Sequence, residues 1–433
     1  IVEGTNASLG ASGIDGPFKI TYDPDGEHLY VPSFDGGSPG GVVTLASAPA
    51  TGAHTFVQFL DNDTTNNDGL ADVVGAALSS DGLHFYAVSD GDDAVSHWNR
   101  DLTTGRLTLV ETIGEEAGGP SSLDDPVVPT LSLDGTHLYV SDLCEPLIVV
   151  FDRDAVTGTL TFASELEPQD SGTLESMAIS ADGLFLYAGD TEGDSVQVYS
   201  RDSVTGSLTF LQSLSDGVDA EGIAGPESMV LSPDRASLYV GGRTDKAIAF
   251  FSRDGGTGLL TFIDQVVDDV DGVDGLDTVQ ALTLSADGAH LYAVSTRDDA
   301  IAVFSRDGGT GALTFLEALF DLDSGVDGLD GGRTVTVSKD GQLVLVGSGT
   351  SDRALALFYR DPVNGSLRFA ERVEGPFDPA TNEVRDLLVS PDGAHLYSIH
   401  PDANAVAIYA MPSVLFTDGF ESGNTSRWTN TLP

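Results

Sequence analysis

Four charged side chains share one register position of a phrase that returns along this 433-residue chain. The phrase is Ser-x-Asp-Gly-x-His-Leu-Tyr-Val, and the position lies five residues before its serine, which is an aspartate, Asp23, in the first copy. In chain order the copies place there Phe18, Val74, Val127, Glu175, Glu227, Gln280, Arg333 and Arg385. Glutamates beside arginines suit hydrolysis of a carbonyl compound. A carboxylate such as Glu175 or Glu227 acts as general base on water, and Arg333 and Arg385 hold the oxyanion. The same sector could bind a metal or an acidic substrate. The plainer alternative is paired charges filling a channel.

A second chemistry is written in acidic loops. DDVDGVDGLD carries Asp268, Asp269, Asp271, Asp274 and Asp277, and DLDSGVDGLDGG carries Asp321, Asp323, Asp327 and Asp330. Calcium takes roughly 6–8 oxygen ligands from a loop able to wrap around it, and carboxylates at short spacing on a Gly-rich backbone can supply them. DNDTTNNDG (Asp61, Asp63, Asp68) and SDGVDAEG (Asp216, Asp219, Glu221) are weaker relatives. Calcium is thus the expected cation, with a solvated acidic loop as the alternative. No organic cofactor is expected, because the Gly-rich segments lack the Lys-Ser/Thr ending of a phosphate loop. No Ser/His/Asp set or Cys/His metal cluster can be assembled from sequence order.

Other reactive residue types belong to the repeat. His28, His84, His137, His290 and His395 all fall at its histidine position and read as scaffold, leaving His54, His97 and His400 scattered. Six of the sixteen arginines stand in Arg-Asp pairs where the third strand of a repeat ends, at Arg100, Arg153, Arg201, Arg253, Arg306 and Arg360. A ring of anion sites is one reading; a repeated turn-stabilising pair is the preferred one. Cys144 is the lone cysteine, so it forms no intramolecular disulfide and reads as a small strand-end filler.

The elements that must position these groups follow from the repeat. Its aspartate recurs at Asp25, Asp81, Asp134, Asp182, Asp234, Asp287, Asp340 and Asp392, at intervals of 56, 53, 48, 52, 53, 53 and 52 residues. Within the copy at 282–316, apolar residues alternate over four short runs, bounded by Asp287-Gly288 and Gly308-Gly309-Thr310-Gly311. Period-two alternation marks strands with a buried face, and Asp-Gly suits a tight hairpin. Four antiparallel strands per period of about fifty residues make one propeller blade. The sequence therefore predicts an all-β, eight-bladed propeller, with blades at about 17–60, 72–113, 126–166, 174–214, 226–267, 279–319, 332–374 and 384–410. The eighth repeat holds only three strand phrases before Pro412, and residues 1–18 align with the fourth strand and loop at 210–227. Residues 1–5 are expected to complete the last blade, which removes an open edge. The same strand donated to a neighbour would build a homo-oligomer or filament.

Composition sets further bounds. With 68 acidic against 19 basic residues the net charge is −49, which argues against nucleic acid and anionic membrane as partners. No stretch approaches the roughly 20 apolar residues of a membrane helix. A chain beginning at Ile1 reads as processed, and residues 411–433 leave the repeat. The phrase from Phe416 to Trp428, FTDGFESGNTSRW, is similar to a tail found on many secreted bacterial proteins, which implies a secreted or cell-surface location.

The phrases Leu-Ser-Pro/Ala-Asp-Gly-x-His-Leu-Tyr-Val and Phe-x-Arg-Asp-x-x-Thr-Gly-x-Leu-Thr-Phe resemble the lactonase-type β-propeller family across nearly the whole chain. The resemblance implies a propeller and, for activity, hydrolysis of sugar-acid lactones. Two departures stand out. The family's enzymes have seven blades against eight copies here, and the stretch SSLDDPVVPT (121–130) lacks the family's His-Pro-His-like phrase. The leading expectation is accordingly a secreted, acidic binding or structural propeller, stabilised by divalent cations and self-assembling through its termini. The alternative is a lactonase-like hydrolase with a Glu/Arg site in the central funnel.

Overall fold

The computed structural model describes residues 19–410 apart from 34–40, 49–52, 62–68, 115–119, 121–122, 144–146, 170–171, 350–351, 375–382, 390–394 and 401–404. Its strands β1 to β31 form eight antiparallel sheets, seven of four strands and one of three. They span 21–61 (β1–β4), 73–114 (β5–β8), 126–166 (β9–β12), 174–215 (β13–β16), 226–267 (β17–β20), 279–320 (β21–β24), 332–374 (β25–β28) and 387–410 (β29–β31). We number them blades 1 to 8. The strand predicted to complete blade 8, Ile1-Val2-Glu3, and the tail at 411–433 lie outside the described residues, as do Phe18 and Cys144.

Each blade runs in simple sequential order, because the Asp-Gly and Thr-Gly turns permit only short antiparallel returns. The first strands of neighbouring blades pack on one another and therefore line the axis. Second and third strands are buried along nearly their whole length, as in His290–Ser295 and Ala300–Arg306, since an adjacent blade covers each face. The core is a series of apolar layers between blades. One layer joins Tyr239, Ile248 and Phe250 of blade 5 to Leu291, Ala293 and Phe304 of blade 6. The circle closes where Tyr397 of blade 8 packs on Ile20, Leu29 and Val31, with its ring edge-on to Tyr22 at 5.0 Å.

The repeated Arg-Asp pairs divide their labour. The aspartate stabilises its own turn, as expected: Asp202 Oδ1 accepts from the N–H groups of Val204 and Thr205. The arginine does something else, and the turn-pair reading is corrected there. Its guanidinium crosses to the preceding blade, as Arg201 does by donating to the Tyr139 hydroxyl at 2.7 Å and to both oxygens of Asp134 at 2.9 Å. Tyr139 in turn donates to the Gly206 carbonyl of the arginine's own blade at 2.8 Å. The same Arg-to-Tyr clasp recurs from Arg100, Arg153, Arg253, Arg306 and Arg360 to Tyr30, Tyr86, Tyr187, Tyr239 and Tyr292. The repeat histidines serve this clasp. His28, His137 and His290 each offer Nδ1 to the guanidinium, so the scaffold reading fits them.

Candidate active site in the central channel

The first-strand residues singled out by register share a local device. In β13 (Leu174–Ile179), Leu174 pairs with Asp190 and Ser176 with Gly189, which leaves Glu175 as an extra residue in a bulge. Glu227 in β17 (Pro226–Leu231), Gln280 in β21 (Val279–Leu284) and Arg333 in β25 (Gly332–Val337) sit in the same irregularity. A bulge turns one side chain out of the alternation, here away from the packed faces between blades and toward the axis. The position is thus specialised for presenting side chains to the channel.

Glu175, Glu227, Gln280 and Arg333 line one cavity of about 410 Å³, together with Arg243, Thr296, Asp330 and Gly331. Glu227 is held from two sides: Arg243 Nη1 ion-pairs with Oε1, and Gln280 Nε2 donates to Oε2 at 2.7 Å. Glu175 carries a raised pKa because burial penalises its charge and Glu227 adds a like charge, with Arg243 opposing. Arg333 pairs through Nε with Glu383 at 3.1 Å. Arg385, on blade 8, reaches solvent yet is hemmed in by protein, so desolvation and the charge of Arg333 lower its pKa while Glu383 opposes. Two carboxylates thus face arginines in a water-accessible polar recess. Such a site can activate water beside a point where developing negative charge is neutralised.

Register located four of these groups but missed Arg243 and Thr296. Both follow directly after second strands, at the ends of Ser237–Gly242 and His290–Ser295. The signal was available, because the first strand's bulge pairs with the end of the second strand. Glu383, the partner of Arg333, follows a divergent loop with no repeat to align it.

The acidic loops fold into a different pattern from the expected one. Of the predicted residues, Asp274 joins Asp268 and Asp298, and Asp321 and Asp327 join Asp352, each trio with oxygens within 4.8 Å of one another. Asp298 and Asp352 come from turns of the following blade, which loop spacing alone could not show. Asp269 and Asp271 are exposed with positive φ and lie outside the trios, and Asp323 is exposed likewise. Asp277 is taken by Lys246 at 2.6 Å, and Asp330 lines the central cavity instead. Asp298 and Asp352 have raised pKa values, chiefly from burial and then from neighbouring aspartates. The second trio already holds a cation, since Arg372 approaches Asp327 and Asp352 at 3.6 Å. The equivalent residue at the first trio is Ala318, because Ala302 pairs with Ala318 as Ala356 pairs with Arg372.

One further cluster was not legible as such. His97 is fully buried at a strand-three position that is apolar in its neighbours, with Nε2 3.1 Å from His84 Nδ1. Burial and the charges of His84 and Arg153 lower its pKa to about 4, so it packs as a neutral ring against Tyr86.

Comparisons place this geometry among known proteins. The chain is similar to the periplasmic gluconolactonase of Pseudomonas aeruginosa, at 23% identity over 81% of this chain and 97% of that one, with a TM-score of 0.59. A Bacteroides fragilis protein described as a candidate 6-phosphogluconolactonase aligns at 21% identity over 81% and 96%, with a TM-score of 0.58. Sqt1 from Chaetomium thermophilum overlays more fully, covering 93% of this chain and 97% of its own at a TM-score of 0.70 and 16% identity. At such identities these likenesses speak to the fold. No curated protein matches the sequence. The model of the family described as lactonase, 7-bladed β-propeller matches residues 75–220, 174–276 and 217–377. The chain belongs to this lactonase-type propeller family, and it folds the family's repeat into eight sheets.

Proposed function

We propose that the central channel is the active site of a lactone hydrolase acting on the lactones of polyhydroxy acids. One observation carries the reading: Glu175 and Glu227 converge with Arg243, Gln280 and Arg333 on a single polar cavity, on the bulge side of four consecutive blades. Membership of the lactonase-type family supports it. Glu175 is the general base, since burial and the neighbouring Glu227 raise its pKa and make it more basic than an ordinary carboxylate. It takes a proton from water as the oxygen attacks the lactone carbonyl. Arg333, with Arg385 behind it, neutralises the tetrahedral oxyanion. Collapse breaks the ring C–O bond, and the protonated Glu175 returns its proton to the leaving alkoxide, giving the open hydroxy acid. Glu227, already bound by Arg243 and Gln280, positions the substrate and sustains the basicity of Glu175.

The test is turnover of D-glucono-δ-lactone. Glu175→Gln should lower kcat by roughly 10²–10⁴-fold, the usual share of general-base catalysis, with an unchanged circular dichroism spectrum. A folded Glu175→Gln protein with full activity would refute the assignment.

A second reading, a non-catalytic propeller held together by divalent cations, is favoured by the contrast between the two aspartate trios. One is neutralised by Arg372, and the other, Asp268, Asp274 and Asp298, has alanine at that position. Calcium is the fitting ion for such an all-oxygen donor set.

A further inference from the structure

A second set of residues stands beside the channel bulges, one directly after each second strand. Its backbone N–H donates to the carbonyl two residues before the bulge, at 3.0 Å from Thr191 to Thr173 and at 3.1 Å from Arg243 to Gly225 and from Thr296 to Thr278. The same bond runs from Gly349 to Gly331, two residues before Arg333, at 2.7 Å. The four positions are therefore equivalent in blades 4 to 7, and blades 2 and 3 place Asp90 and Leu143 there. Of these six residues, the one in blade 7 alone is a glycine.

In blades 4 and 5 this residue holds the bulge side chain of its own blade: Thr191 hydrogen-bonds Glu175, and Arg243 ion-pairs with Glu227. Blade 7 reverses the relation. Gly349 is buried, and the Arg333 side chain lies across its Cα. A Cβ there would come within 2.5 Å of Arg333 Nε and 3.0 Å of its Cδ. Ordinary contacts between carbon atoms lie at roughly 3.5–4.0 Å. The backbone does not itself call for glycine, since φ at Gly349 is not left-handed. It is Arg333 that uses the missing side chain, running over Gly349 to place Nε 3.1 Å from Glu383.

We propose that Gly349 is a positioning residue for the lactone hydrolysis inferred above, fixing the Arg333 guanidinium where the oxyanion develops. This rests on the reading of Arg333 as the oxyanion's partner. A methyl group at 349 displaces the arginine stem and leaves the sheet in place, because the colliding atoms belong to a flexible side chain that is 36% exposed. The Gly331 carbonyl oxygen would lie 3.3 Å from it and need yield only slightly. Moving a group that stabilises transition-state charge costs turnover rather than binding, and a misplacement of about 1 Å can cost roughly 10²-fold.

Steady-state turnover of D-glucono-δ-lactone by the full chain tests this in a cycle of Gly349→Ala, Arg333→Ala and the double variant. Arg333→Ala should lower kcat roughly 10²–10³-fold. Gly349→Ala should lower kcat about tenfold to 10²-fold with KM within about twofold, and should cost nothing further once Arg333 is alanine. Losses that multiply in the double variant would overturn the proposal, since Gly349 would then act on something besides Arg333. So would a fully active Gly349→Ala protein beside an impaired Arg333→Ala one. Full activity of Arg333→Ala, or a wild-type chain without turnover, would instead overturn the reading beneath the proposal and the proposal with it. If Gly349→Ala alone does not fold, the double variant decides. It should fold, because the collision is gone, and its failure to fold would overturn the assignment.

Discussion

Replacing Arg201 with methionine keeps the aliphatic stem and removes the guanidinium from the clasp between blades 3 and 4. The side chain is almost wholly buried, and its hydrogen bonds go to Tyr139, Gly183, His137 and, bidentately, Asp134. Not all of these count equally. Asp134 is 38% exposed, so water can resolvate it and its share must be discounted. Tyr139 is fully buried but keeps its bond to the Gly206 carbonyl, so only its acceptor role is lost. The Gly183 carbonyl loses a charge-assisted donor outright. Charge-assisted bonds contribute roughly 1.5–3 kcal/mol each and a broken buried pair costs about 3–5 kcal/mol, which puts Arg201→Met near 3 kcal/mol. Urea unfolding followed by circular dichroism measures it. The pH dependence supplies a second readout. Hydrogen bonds from Arg201, Ser132 and Thr136 hold the Asp134 pKa far below its unfolded value. Its contribution is present above pH ~4 and lost as pH falls through the folded pKa, so Arg201→Met should flatten the acid limb of the stability curve. A loss under about 1 kcal/mol, with the acid limb unchanged, would refute the view that these arginines join blades.

Further outcomes follow from other parts of the ring. Calcium at roughly 1 mM should raise Tm, and Asp268→Asn with Asp298→Asn should abolish the rise; in chelator the same pair should be neutral or stabilising, since it relieves repulsion among buried carboxylates. A wild-type Tm indifferent to calcium would remove the cation reading. His137 and His290 have folded pKa values below 6.5, so the unfolded chain binds protons first and stability should fall as pH drops below about 6.5. His137→Asn should flatten that slope between pH 7 and 5.5, measurable by thermal melts, and an unaltered slope would count against it. Gly206 has φ +67° and a Cβ there would collide with the His137 imidazole, so Gly206→Ala should destabilise by more than about 1 kcal/mol in urea melts.

Much of this architecture was legible because a propeller writes its period into the chain. One turn, Asp-Gly, and one strand phrase, His-Leu-Tyr-Val, recur at the same register, and each copy must fold alike to pack on the next. The channel residues were legible for the same reason, since a position fixed within the repeat is fixed relative to the axis. Counting back from the serine found Glu175, Glu227, Gln280 and Arg333 before any contact was known. Contacts between copies were not legible. The arginine of each Arg-Asp pair reads locally as part of a turn, and only packing shows it reaching a tyrosine more than sixty residues earlier. The aspartate trios likewise join a loop to a turn of the next blade, as Asp298 joins Asp268 and Asp274, so neither segment alone encodes the ligand set. Sequence by itself determined the blade and its repetition, because those rest on local alternation and turn chemistry. Tertiary structure alone decided what each blade does to its neighbour, as where Arg201 crosses to Tyr139 of the preceding blade, because that depends on which side chains two sheets bring face to face.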